Sequence, residues 1–298
     1  MDKINQFDLS IIKWLQDNLR SNFMDFLMNL LTHLGDMYIF ILIVVIIYWA
    51  IDKRFAYKFA IAFIASAAVN AGLKNIFMRN RPFLEEGVTS ISKETHGTSF
   101  PSGHSQASGV IYYSLNNEYG KNRYLKIFSY FVLIIVPFTR MYLGQHYLTD
   151  VLFGAIIGIL VTIGMFKLFE IMKDKEHIYP LFAIPIFLVL MVILHNKGYS
   201  NAKDIFVAGG GYIRFTLGYA IEKLYVKHDV STTILNRILK VVGGLVIVLG
   251  SYFLLKTVFP EQSLIFDSIR YFLIAIIASC LVPYLFTLLF KEKAMLNE

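Results

Sequence analysis

The sequence predicts an all-α fold: a polytopic transmembrane helical bundle of about nine spans, range eight to ten, led by an amphipathic interfacial N-terminal helix. Three observations carry that expectation. Of 298 residues, 56% are hydrophobic and only 16% charged, against roughly 25% charged in a soluble domain. The mean hydropathy of +0.58 is too high for one core to hide, because too little polar surface remains to cover it. Nine apolar stretches can be marked, and at about 20 residues per crossing they would fill most of the chain. The same figures exclude disorder, a collagen-like fibre and a disulfide-stapled secreted domain.

The elements follow in order. Phe7, Ile11, Leu15, Leu19 and Phe23 recur every four residues, while Lys13, Gln16, Asp17 and Arg20 fall elsewhere on the wheel. That pattern suits a helix lying in the membrane interface, and equally a helix packed on the protein's own surface. Spans are then expected at 37–51, 56–77, 105–117, 124–138, 150–172, 180–194, 203–221, 238–256 and 266–290. Charge and turn signals such as Asp52-Lys53-Arg54, Glu118-Tyr119-Gly120-Lys121, Lys173-Asp174-Lys175-Glu176 and Asn196-Lys197-Gly198 separate them. Several are shorter than about 20 residues, so their ends must borrow from the flanks or pack within the bundle.

The net charge of +7 raises the question of nucleic acid. Basic residues are scattered, with no aromatic-interleaved basic face, so a positive-inside bias is the better account and no nucleic-acid partner is expected. Counting Lys and Arg by side gives fifteen against twelve, with Arg214 inside a span. The richer side is taken as cytoplasmic, which puts the N-terminus outside and the C-terminus inside. The single cysteine, Cys280, lies in the last apolar stretch without a basic neighbour and reads as packing. No cleavable signal is read at Met1-Asp2-Lys3-Ile4-Asn5.

Polar residues crowd three places on the outer side. Lys74, six residues, then Arg81-Pro82 closes the second span. Pro101-Ser102-Gly103-His104 opens the third. Thr139-Arg140, five residues, His146, three residues and Asp150 opens the fifth. Each has an ordinary reading: snorkelling cations, a turn with Ser102 as helix cap, and a structural His–Asp bond one turn apart. Three such clusters on one membrane face make the ordinary readings jointly improbable.

Together they suggest phosphoryl transfer. Lys74, Arg81 and Arg140 cannot pair with one another, and a phosphate gives them a common anion. Ser102 and Gly103 at a helix start would add backbone N–H groups and the positive dipole end. His146 and Asp150, four apart, share a helical face, so the carboxylate can fix the imidazole tautomer and support positive charge as the ring attacks. His104 remains to protonate the leaving oxygen.

These clusters resemble the tripartite signature of the type 2 phosphatidic acid phosphatase family, integral-membrane lipid phosphatases whose pocket is shared with vanadium haloperoxidases and glucose 6-phosphatase. The pattern matches at Lys74, Arg81 and Pro82, at Pro101 through His104, and at Arg140, His146 and Asp150. Thr139 stands where the family has serine, which keeps the hydroxyl. The resemblance covers about residues 37 to 172. It implies that His146 attacks phosphorus in line to form a phosphohistidine, oriented by Asp150. It further implies His104 as general acid and then base, and Lys74, Arg81, Ser102, Gly103 and Arg140 as holders of the phosphate oxygens. No cofactor and no metal are expected; a His96, His104 and His146 trio fits no zinc spacing, and the cations would repel a divalent ion.

The chain therefore divides into an N-terminal segment 1–36, a phosphatase catalytic core 37–177, and a transmembrane extension 178–298 of unassigned role. The expected activity is that of a phosphoric monoester or diphosphate hydrolase on a lipid headgroup, with polyprenyl diphosphate or phosphatidylglycerol phosphate favoured. A lipid transporter or scramblase on the same bundle, and a vanadate-dependent oxidase, stand as alternatives. Expected partners are the phosphorylated lipid, surrounding membrane lipid and, as one assembly, a second copy in a homodimer. The expected location is a bacterial cytoplasmic membrane with the site facing outward. In the seventh stretch Gly210, Arg214, Gly218 and Glu222 share a face, and Arg214 is a candidate contact for a second anionic group of the substrate.

Overall fold

The structure is a computed structural model describing residues 2–92, 97–197, 202–259 and 264–290. Twelve α-helices are seen there: α1 (Asp2–Leu19), α2 (Asn22–Thr32), α3 (Met37–Ala50), α4 (Lys53–Phe77), α5 (Gly103–Tyr119) and α6 (Arg123–Tyr142). Then come α7 (Leu148–Met172), α8 (Ile184–Lys197), α9 (Ala202–Ile221), α10 (Ile234–Val258), α11 (Leu264–Ile276) and α12 (Val282–Leu289). Side-chain caps mark several starts. Ser21, Ser102, Asn122 and Thr233 each accept a hydrogen bond from a backbone N–H two or three residues on, satisfying donors the helix leaves open.

All nine predicted stretches fall on helix, yet fewer qualify as spans. By length and composition, five helical segments among the described residues could cross a membrane: 53–84, 123–142, 148–175, 234–258 and 272–289. A sixth arises if 22–35 and 37–50, bent by 47°, count as one broken span. The shortfall has physical causes. α5 carries Ser105, Gln106, Ser108 and Ser114, all buried, so it is too polar for lipid. α8 has 14 residues, and α9 carries Lys203, Asp204 and Arg214. Exposed apolar side chains such as Ile134, Ile171, Val246 and Leu254 occur in quantity on the long helices. A soluble surface would not tolerate that, whereas lipid contact requires it. The protein is an integral membrane protein.

The chain forms two compact units. The first comprises residues 1–41, 62–167 and 194–205; the second comprises 42–61, 168–193 and 206–298. In the first, Ile12 and Leu15 of α1 are buried with Val88, Met141, Tyr147 and Val151, while Phe7 and Trp14 face outward. The predicted four-residue stripe is thus broken. The helix ends at Leu19, Ser21 starts another, and Phe23 lies exposed on α2. α5 and α7 cross on small residues. A Cβ on Gly154 would stand 2.6 Å from the Ser102 carbonyl oxygen, and one on Gly158 would stand 2.2 Å from that of Gln106. This backbone contact brings the start of α5 onto the start of α7.

The second unit is an aromatic core with buried charge. The Tyr57 and Tyr219 rings stack at 3.8 Å, and Trp49 packs so tightly on Gly244 that a Cβ there would lie 2.5 Å from its ring. Buried Glu222 accepts from Lys53 at 2.9 Å and from His228 at 2.7 Å. Buried Glu176 pairs with Lys223 and, at 3.6 Å, with Arg54. Each carboxylate has a cationic partner, as burial of charge demands.

Candidate active site

Lys74, Arg81, Ser102, Gly103, His104, Arg140, His146 and Asp150 all belong to the first unit. They come from four helix ends. Lys74 lies in the last turn of α4, and Arg81 follows in the turn before Pro82. Residues 97–101 are laced back to that end, Ser99 N–H donating to the Arg79 carbonyl at 2.8 Å and Thr98 Oγ1 to that of Lys74 at 3.3 Å. Ser102 caps α5, and its N–H donates to the Asp150 carbonyl at 3.0 Å. Arg140 sits in the last turn of α6.

His146 was expected on a helix with Asp150; it lies instead in the turn before α7. Gly144 turns the chain there with φ +71°, where a side chain would be strained and its Cβ would meet the Thr89 carbonyl at 2.5 Å. The N–H groups of Gln145 and His146 both donate to the Arg140 carbonyl, at 3.0 and 3.2 Å. His146 Nδ1 and Asp150 Oδ2 are 3.7 Å apart, too far for a direct hydrogen bond. Ser99 bridges them. Its hydroxyl donates to Asp150 Oδ2 through a short bond, and its oxygen lies 3.3 Å from His146 Nδ1. On the opposite side of the ring, Arg81 Nη1 donates to Nε2 at 3.2 Å. A guanidinium only donates, so Nε2 carries the lone pair and Nδ1 the proton.

Asp150 is fully buried and, besides Ser99, held by two more donors. Arg79 Nη1 donates to Oδ1 at 2.6 Å, and the Tyr147 N–H donates to Oδ2 at 2.9 Å. The same arginine reaches Asp8 of α1 at 2.9 Å, and its guanidinium lies 3.9 Å from the Tyr147 ring centre. Arg140 donates to Thr32 Oγ1 at 3.0 Å. His104 Nε2 lies 2.7 Å from Asp36 Oδ1. Sequence reasoning did not single out Arg79, Ser99 or Asp36. The proximity of Arg79 to Arg81 and of Ser99 to Ser102 was visible, but the contacts join residues dozens of positions apart, and Asp36 carried no motif signal.

Electrostatics set the roles the histidines can play. Burial, then the charges of Arg81, Arg140, Lys74 and His104, hold His146 well below the usual imidazole range. It stays neutral, and so nucleophilic, into acid solution. Burial and the Arg140 and Lys74 charges also lower His104, with Asp36 pulling the other way. Excess positive charge converging on a neutral imidazole favours an anion there. Among the described residues no group of three or more His, Cys, Asp or Glu is placed to hold a metal ion, and His96 lies outside them.

Arg214 belongs to the second unit. Its guanidinium folds back over its own helix, so that a Cβ on Gly210 would stand 3.1 Å from Nη2. Gly218 opens a different approach: its Cβ would collide with Ser279 Oγ of the π-helical segment Ile277–Leu281 that joins α11 to α12.

The PAP2 superfamily matches residues 55–174, and the PAP2 superfamily phosphatase transmembrane extension matches residues 206–294. The chain belongs to the PAP2 superfamily. It is a membrane phosphatase, and the three clusters all fall inside the first matched segment. Among solved structures, LpxE from Aquifex aeolicus is similar at 24% identity and TM-score 0.49, over 53% of this chain and 94% of its own. A transmembrane PAP2-type phosphatidylglycerolphosphate phosphatase from Bacillus subtilis is similar at 23% identity and TM-score 0.49, over 58% of this chain and 90% of its own. Among curated proteins no significant match is found.

Proposed function

We propose that this PAP2 phosphatase hydrolyses a phosphomonoester or diphosphate on a lipid headgroup through a phosphohistidine on His146. The observation that carries the reading is the setting of the His146 ring, backed by Ser99 and Asp150 and faced by Arg81, with the Lys74 and Arg140 charges bearing on the same ring. Nε2 attacks phosphorus; Lys74, Arg81, Arg140 and the α5 N-terminus at Ser102 and Gly103 take up charge on the equatorial oxygens. Asp150, through Ser99, steadies the cationic ring that attack creates. His104 protonates the leaving oxygen and later takes a proton from the hydrolytic water.

A lipid substrate is supported by the placing of the cationic cluster at helix ends, where headgroups lie, and by the apolar surfaces that follow. A transporter would set its charges near mid-membrane in broken helices. Polyprenyl diphosphate and phosphatidylglycerol phosphate are the favoured substrates, acted on from the outer side of a bacterial cytoplasmic membrane. In this reading all nine helical stretches sit in or against the bilayer. Residues 37–177 form the catalytic core, 178–298 extend it, and α1 lies at the interface. Arg214 touches a second anionic group of the lipid.

The test is phosphate release by purified protein from a panel of these lipids, with orthovanadate as mimic of the five-coordinate phosphorus. Activity that vanadate blocks and EDTA leaves intact is expected. Lipid transfer between leaflets without phosphate release, or loss of activity in EDTA restored by magnesium, would overturn the reading.

A further inference from the structure

Asp36 closes the short turn His33–Gly35 between α2 and α3, and its carboxylate is shared by two imidazoles. Oδ1 stands 2.7 Å from His104 Nε2, and Oδ2 stands 2.6 Å from His33 Nδ1. The turn is pressed onto the start of α5. A Cβ on Gly35 would lie 2.8 Å from the His104 carbonyl oxygen, and the Tyr112 hydroxyl donates to the Leu34 carbonyl at 3.1 Å. His33 is 64% exposed at its side chain, whereas Asp36 and His104 are 21% and 28% exposed. The carboxylate is therefore fixed at both oxygens, one by an outer imidazole and one by the inner.

We propose that Asp36 is the positioning residue for His104, selecting its tautomer and sustaining its protonated form. The proposal rests on the reading of His104 as general acid. With Nε2–H committed to Asp36, Nδ1 is the nitrogen that handles protons. As the bond from phosphorus to the leaving oxygen breaks, the electron pair goes to that oxygen and the Nδ1 proton follows it. In the second half, water oxygen bonds to phosphorus, the P–N bond to His146 breaks with its pair returning to nitrogen, and the water proton goes to Nδ1. His104 ends as it began. Burial, then Arg140 from α6 and Lys74 from α4, oppose its protonation, Asp36 offsets them, and His146 from the turn before α7 is close enough to feel its charge.

Asp36→Asn tests this with two substrates and a pH profile. On a lipid phosphate, whose alkoxide leaves poorly, kcat should fall roughly ten- to a hundredfold, a part of the roughly hundred- to ten-thousandfold that general acid catalysis supplies. On p-nitrophenyl phosphate, whose leaving group needs no proton, kcat/KM, which reads only the steps up to the phosphohistidine, should change less than threefold. The basic limb of the kcat profile on the lipid should move to lower pH. In a His104→Ala background, Asp36→Asn should cost nothing more, because residues acting as a unit are not additive. Equal losses on both substrates, an unmoved basic limb, or an additive loss in the double variant would overturn the proposal. Should the amide variant fail to fold, Asp36→Glu reads the same question. Its retained charge keeps the basic limb in place while its longer reach lowers kcat on the lipid alone, and an unchanged lipid kcat counts against the proposal. If His104→Ala is itself indifferent to the leaving group, the general-acid reading fails; if it is sensitive and Asp36→Asn is not, only this inference falls.

Discussion

At the scale of single residues, His146 and His104 share a cationic neighbourhood but differ in what stands behind them. His146 has Ser99 and then Asp150 behind Nδ1, and Arg81 before Nε2. Its pKa is lowered first by burial and then by cations, so the neutral nucleophile persists below the ordinary histidine pH range and is lost only as pH falls through the lowered value. Arg81→Gln removes one of those charges; the acid limb of kcat/KM should then move to higher pH, measured alongside a rise in KM. His146→Ala should abolish turnover, since no other side chain replaces it in line. Ser99→Ala deletes a hydrogen bond to a charged partner worth about 1.5–3 kcal/mol, which corresponds to a loss of roughly ten- to a hundredfold in kcat. A Ser99→Ala enzyme with full activity would mean that Asp150 steadies the ring without the bridge.

Between elements, two contacts decide whether the site assembles. Arg79 ties α1 to α7 by serving both Asp8 and Asp150. Arg79→Ala leaves two buried carboxylates short of their cation, and breaking a buried pair costs about 3–5 kcal/mol. Melting in detergent should drop accordingly, with activity lost in parallel. The α5–α7 crossing is the second contact. Gly158→Val would drive a side chain into the Gln106 carbonyl and push the Ser102 turn away from His146. Thermal stability and kcat should fall together, overpacking of this kind costing about 1–3 kcal/mol or more. Gly164, on the same helix with nothing within 4 Å of its Cβ position, is the control. Gly164→Ala should leave both measurements unchanged.

For the molecule as a whole, sidedness is the test that bears on biology. With Cys280 replaced by serine, a cysteine at Ser92 should react with an impermeant thiol reagent in intact cells, and one at Lys175 should not. The reverse pattern would turn the proposed topology over. The second unit holds its own buried charges, and Arg214 lies on a helix whose glycines serve unlike purposes, one under Arg214 itself and one under Ser279. Arg214→Ala should reduce turnover of a diphosphate or glycerol-phosphate lipid far more than that of a soluble phosphomonoester. Equal loss on both, with falling thermal stability, would leave Arg214 a packing role alone.

Composition by itself determined that this chain lives in a membrane, because an apolar excess without polar cover has one stable solvent, and its long continuous apolar runs determined that it is helical, because a barrel strand would alternate apolar and polar residues. The spacing of Lys74, Arg81, Ser102, His104, Arg140, His146 and Asp150 was likewise legible, since functional groups at helix ends keep fixed offsets along the chain. The span count was not, because hydropathy cannot tell a polar helix buried among its neighbours, such as α5, from one that meets lipid. Nor were Arg79, Ser99 and Asp36 legible. Each acts on a partner dozens of residues away, and only the crossing of α5 on α7, the turn at Gly144 and the docking of the N-terminal helices bring those side chains within hydrogen-bond reach.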